Sequence, residues 1–136
     1  MTKMTAKHAA PDPSIRTPRV VRQQARISRI EQLSHDTVKL VLKTIFDNNP
    51  LHAKAGQFCT IRVPETKLTR AYSLARAPEA ERSNEHSFII RLIPDGEFSQ
   101  WLLECERVDH EVQLSGPLGT FVLDDSSLPI ICIAGG

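Results

Sequence analysis

The chain has 136 residues, 40% hydrophobic and 24% charged, with a net charge of +1; that is one domain's length, enough to bury a core without staples. No stretch approaches the roughly 20 apolar residues that cross a bilayer, and "MTKMTAKHAAPDPSIRTPRV" at the start lacks the apolar middle of a secretory signal, so no membrane insertion is expected. Cys59, Cys105 and Cys132 are an odd, scattered set, which argues against a disulfide framework or a metal site and for buried thiols in a reducing, cytoplasmic setting.

Residues 1–30 carry seven Lys or Arg against one acid, Asp12, whereas the remainder holds ten bases and fifteen acids. Residues 1–22, with Pro11, Pro13, Pro18 and no periodicity, read as a solvated, disordered basic tail. A nucleic-acid partner is not expected. Binding one on a sheet face takes aromatic side chains interleaved with Lys or Arg, but aromatics are 5% and the body of the chain is net acidic.

From "QARISRIEQL" onward short alternating runs take over. In "TVKLVLK" Val38, Leu40 and Leu42 share one face and Lys39 and Lys43 the other, the period of two of a half-buried strand. "GQFCTIRV", "TRAYSL", "SFIIRLI" and "HEVQLS" are further strand candidates. Turn signals such as "FDNNP", "AKAG", "VPET", "APEAERSNE", "PDGE" and "SGPLG" separate them. The pattern predicts an all-β antiparallel sandwich or barrel of about six strands. One segment differs: "SQWLLECE" has no breaker and reads as a helix of one or two turns, with Ser99 as its N-cap and no capping box, because Leu102 holds the N3 position. At the end, "LPIICIAGG" is a continuous apolar run, the pattern of a strand buried on both faces of a parallel sheet; it reads as the opening of a second, truncated unit.

Four stretches carry chemistry, and each has an ordinary reading. In "RAYS" Arg70 offers a rigid fork of donors for phosphate or carboxylate, Tyr72 a flat ring for stacking, and Ser73 a hydroxyl. On a regular strand Arg70 and Tyr72 share a face and Ser73 takes the other; alone, the stretch is a strand edge. "DGEFSQWLL" combines a Gly96 turn with a helix start of the kind that receives phosphate, or is simply a capped helix. "SGPLGTF" is a turn between strands, and "IAGG" resembles the opening of a dinucleotide-binding loop.

Taken in order, "GQF", "RAYSLA", "RLIPDGEFSQWL", "GPLGTF" and "IAGG" resemble the ferredoxin–NADP reductase superfamily across about Gln23 to Gly136. Within it the likeness is closest to electron-transfer reductases of oxygenases and of the hybrid-cluster protein. The resemblance implies a six-stranded antiparallel Greek-key barrel with one short helix over residues 23–126, binding FAD, followed at 127–136 by the first strand of a truncated α/β nicotinamide-binding domain. It implies that Arg70 pairs with the FAD diphosphate, that Tyr72 lies against the flavin ring, and that Ser73 bonds near its reactive nitrogen, with Tyr72 and Ser73 the residues closest to the chemistry. Ala71 would also line the cofactor, Arg91, Leu92 and Ile93 would meet it largely through backbone, and Gly96, Phe98 and Ser99 would receive its diphosphate. It further implies NAD(P)H as the electron source of the full-length protein. The acceptor would be an iron–sulfur protein or domain, with any [2Fe–2S] cluster outside this chain. The alternative is a degenerate, non-catalytic barrel that serves as a partner-binding module.

Overall fold

The computed structural model describes residues 19–46, 51–75, 84–104, 107–123 and 127–134. Most of the tail, Cys105 and the terminal Gly135 and Gly136 therefore lie outside the described residues.

Six strands and one helix follow in chain order: β1 (Val21–Gln32), β2 (Thr37–Thr44), β3 (Phe58–Arg62), β4 (Thr69–Ser73), β5 (Glu85–Arg91), α1 (Glu97–Leu103) and β6 (Glu111–Leu118). They form one sheet in the order β4-β3-β6-β1-β2-β5, antiparallel at every pairing. The sheet curls until its two edges meet at a single antiparallel bridge, Leu74 to Phe88, with Ala75 N–H donating to the Ser87 carbonyl. The result is a near-closed six-stranded barrel with one short helix, as the alternation of short apolar runs predicts.

β1 makes the curl possible. Its first half pairs with β6 and its second half with β2, and the β2 register shifts between Ile27 and Arg29. A bulge of this kind bends a strand and sharpens its twist, so one twelve-residue strand serves both halves of the barrel. β1 also begins at Val21, two residues inside the segment read as a tail, because Val21 and Arg22 pair with Gly116 and Ser115.

The inward faces of five strands fill the barrel, and β4 adds only the half-buried Tyr72. Ala25, Ile27, Val38, Leu40, Leu42, Cys59, Ile61, Phe88, Ile90, Val112 and Leu114 are buried together, and α1 closes the packing with Phe98, Trp101 and Leu102. Val38, Leu40 and Leu42 are inward as their spacing predicts. Burial pushes the Cys59 thiol up to about 12, which makes it an inert core group.

One expectation is corrected. Ser99 is not the N-cap: Gly96 holds that position three residues earlier, with no side-chain cap bond, and α1 starts at Glu97. Ser99 is buried within the first turn, where its Oγ accepts the Ile93 N–H at 2.9 Å. The run over 127–134 forms no strand; Ile131 and Ile133 are 87% and 94% exposed. Among the described residues no helix is long and apolar enough to cross a membrane.

Candidate functional site

The strand β4 and the start of α1 build one face. Arg70 and Tyr72 both reach α1: Arg70 Nη2 donates to Glu97 Oε2 at 3.2 Å, and the Tyr72 ring lies 5.4 Å from the Phe98 ring at an interplanar angle of 47°. The two side chains therefore share a face, as the strand period requires. Phe98 stacks in turn on Trp101 at 5.5 Å, and Trp101 meets the edge of His110 at 5.2 Å. Arg107 caps that row, 4.8 Å above the Trp101 ring.

This packing decides what each side chain offers a ligand. Phe98 is only 3% exposed, so it backs Tyr72 and can present nothing but its main-chain N–H. Tyr72 is half-buried, with its ring packed against Phe98 at the edge of the core. Burial raises its phenol above the ordinary value, partly offset by the Arg70 guanidinium; the hydroxyl stays a neutral donor throughout the physiological range. Arg70 remains accessible, with its side chain 46% exposed.

Leu92, Ile93, Gly96 and Ser99 form the turn beside this face. Gly96 N–H donates to the Ile93 carbonyl, and the Ile93 N–H to Ser99 Oγ completes a closed loop of bonds. A side chain at Gly96 would meet Ile93 at 3.1 Å and Ser99 Oγ at 3.3 Å, so the turn is tight. The first N–H groups of a helix have no intrahelical acceptor, and here they sit next to Arg70. Between Arg70 and the helix lies a cleft of about 540 Å³, lined by Thr66, Lys67, Leu68, Thr69, Arg70, Glu97, Gln100, Trp101 and Glu104, within the size range of small-molecule sites.

The other predicted residues are placed differently. Ala71 and Ser73 are exposed on β4, alternating with Arg70 and Tyr72. Arg91 points away: its Nε donates to Asp36 Oδ2 at 3.1 Å, while the Leu92 N–H donates to the Asp36 carbonyl. Hydrogen bonds from Ser34 and Thr37 hold the Asp36 carboxyl below its usual range, with His35 and Arg91 adding to the effect and burial opposing it. The Arg91 side chain thus braces the β1–β2 turn, which leaves only its backbone near the face.

Three contributors escape sequence reasoning. Glu97 meets Arg70 across 27 positions of sequence, with no local signal for the pairing. The β3–β4 turn supplies one wall of the cleft through Thr66, Lys67 and Leu68. Gln57 is a buried brace: its Nε2 donates to the Gly119 carbonyl at 3.0 Å, its Oε1 accepts the Lys54 N–H at 2.9 Å, and its own carbonyl accepts the Leu74 N–H at 3.2 Å. "GQF" and "GPLGTF" are thus two halves of one frame, which pins the end of β4 carrying Ser73.

Residues 24–123 match the oxidoreductase FAD-binding domain family. The chain belongs to that family. Its relatives are reductase components of oxygenases: the toluate 1,2-dioxygenase electron transfer component of Pseudomonas putida is 38% identical over 113 residues, which cover 83% of this chain and 32% of that protein. Methane monooxygenase component C of Methylosinus trichosporium is 36% identical over 119 residues, covering 82% of this chain and 33% of that protein. Among solved structures, the ferredoxin reductase in carbazole 1,9a-dioxygenase superposes with a TM-score of 0.69 at 30% identity, covering 79% of this chain and 32% of that one. The chain therefore spans about a third of the length of these relatives.

Proposed function

We propose that the β4–α1 face binds FAD and that the chain is the flavin-holding part of an NAD(P)H oxidoreductase. In that protein electrons pass from the nicotinamide to an iron–sulfur centre or protein acceptor. The observation that carries the reading is the meeting of Arg70, Tyr72 and the first turn of α1 beside a cleft of about 540 Å³. A permanent cation, a half-open aromatic ring and a helix start are the donor set that a phosphorylated, flat heteroaromatic needs, and family membership supports the same ligand.

FAD when bound supplies the conversion between two-electron hydride donors and one-electron acceptors. The chain's own residues hold and orient it. Arg70 would take a diphosphate oxygen pair with its fork. Tyr72, braced by Phe98, would present the rest of its ring to the flavin. The exposed Ser73 hydroxyl would bond at the flavin edge, and Ala71, Leu92 and Ile93 would contribute backbone. Glu97, Phe98 and Ser99 would offer main-chain N–H groups, Gly96 keeps the approach open, and Arg91 contributes backbone alone.

Residues 127–136 are read as the opening strand of a nicotinamide-binding domain, with Leu128, Ile130, Ile131 and Ile133 as the surface such a sheet would cover. The chain by itself would then hold flavin and oxidise little NAD(P)H. Purified chain titrated with FAD tests this reading. The expected result is a retained yellow chromophore with a perturbed flavin spectrum; a folded barrel that leaves FAD free in solution would return the field to the non-catalytic, partner-binding alternative.

A further inference from the structure

We propose that Glu97 is an internal competitor for the anion held by Arg70, and so sets how tightly and how salt-sensitively the site retains a diphosphate ligand; this rests on the flavin reading above. The Arg70 fork is engaged on both terminal nitrogens. Nη1 donates to the Thr69 carbonyl at 2.8 Å and Nη2 to Glu97 Oε2 at 3.2 Å. A diphosphate that takes the guanidinium through two parallel bonds needs the edge that carries Nη2. On the edge that faces Glu97 it displaces the carboxylate, and on the other edge it shares Nη2 with it, because each terminal nitrogen carries two N–H groups.

Displacement does not remove the competitor. Glu97 is fixed on the first residue of α1, so after losing Arg70 its charge stays within reach of the anion that replaced it. The competition is graded rather than absolute, because the Glu97 side chain is 76% exposed and water screens it. Glu104 also lines the cleft, but its carboxylate leans toward Arg107 at 3.9 Å, not toward Arg70. Among the described ion pairs, Glu97 is the acid that contacts Arg70 directly.

The test compares FAD affinity of the wild-type chain with Glu97→Gln, and with Glu111→Gln as a control. Glu111 pairs with Arg26 on the β1–β6 ladder and lies outside the cleft, so it changes net charge equally without touching Arg70. Glu97→Gln should tighten FAD binding about two- to fivefold, the scale of an exposed ion pair, while Glu111→Gln leaves it unchanged. The gain should be largest at low salt. Raising salt should also weaken FAD binding more steeply in Glu97→Gln than in wild type, where salt loosens the competing pair as well. Glu97→Ser, which removes the charge without an amide, should repeat the gain. Equal or weaker FAD binding by both Glu97 variants, or a gain that Glu111→Gln matches, overturns the proposal. Wild-type chain that binds no FAD overturns the flavin reading itself, a distinct outcome.

Discussion

The two ends of β4 are held in opposite ways. Beyond Ser73, the chain is locked by neutral, buried hydrogen bonds: Gln57 joins Lys54, Leu74 and Gly119 in one knot, and Gly56 and Gly119 sit at positive φ to let the strands close. At Arg70 the strand is held instead by an exposed ion pair and a half-open ring. Buried amide networks are costly to break, because each lost partner leaves a polar group unsatisfied; exposed ion pairs exchange partners at little cost. The difference separates a rigid frame from a surface free to trade one anion for another.

The largest effects should fall on the frame. Gly56→Ala puts a methyl 2.1 Å from the Phe121 carbonyl oxygen at a φ of +97°, and the dihedral alone costs about 1–2 kcal/mol. With the forced backbone shift, an overall loss of about 2–4 kcal/mol is expected. Gln57→Ala orphans the Lys54 N–H and the Gly119 carbonyl, at about 1–3 kcal/mol. Urea unfolding of both variants measures these losses. If either variant is as stable as wild type, the frame is not what fixes β4.

Arg70→Ala should invert that profile. FAD retention falls by about 1.5–3 kcal/mol, on the order of a 10- to 150-fold weaker Kd, because a charge-assisted bond is lost. Unfolding of the protein without FAD should move little, since the pair with Glu97 is exposed. Parallel losses in affinity and in stability would erase the distinction between frame and site.

Much of this contrast was legible from residues alone, but unevenly. The barrel was visible because Val38, Leu40, Leu42 and their counterparts follow a period of two, which the pleat imposes locally. Arg70 and Tyr72 were visible as a same-face pair for the same reason. Glu97 and Gln57 were not, because their partners lie 27 and 62 positions away, and such pairings arise only when the sheet curls. Ser99 was misread as a cap because serine before an apolar run is the ordinary start signal. The structure instead caps α1 at Gly96, three residues earlier, and ties Ser99 to Ile93.

Alkaline pH probes the frame from inside. Cys59 lies under Gly116, where an added methyl would sit 2.5 Å from its Sγ, and burial lifts its thiol from 9.0 to about 12. A raised folded value means that the folded chain keeps a proton the unfolded chain releases. The resulting stabilisation is complete below about pH 9 and is lost as pH climbs toward 12. Cys59→Ala should flatten that part of the stability profile, measured by urea midpoint against pH. Tyr72, also raised by burial, should leave a residual slope. A profile that Cys59→Ala leaves unchanged would show that the thiolate is not what limits the barrel at high pH.

The smallest effect should appear where the two regions meet. Glu65 lies in the β3–β4 turn whose next residues wall the cleft, and its Oε1 pairs with His110 Nε2 at 2.9 Å. Its carboxyl is lowered chiefly by its own backbone N–H, with His110 and then Arg107 contributing and burial opposing. A lowered folded value stabilises the protein above the ordinary carboxylate range, and that contribution disappears as pH falls through the folded value. Glu65→Gln should therefore cost a little stability at neutral pH and nothing once the wild-type carboxyl is protonated, so the two urea profiles converge as pH falls through its folded value. The side chain is 59% exposed, which keeps the gap small. If the gap instead persists unchanged into acid, the amide has disturbed the turn itself. The wall of the cleft would then belong to the rigid frame and not to the exchangeable surface.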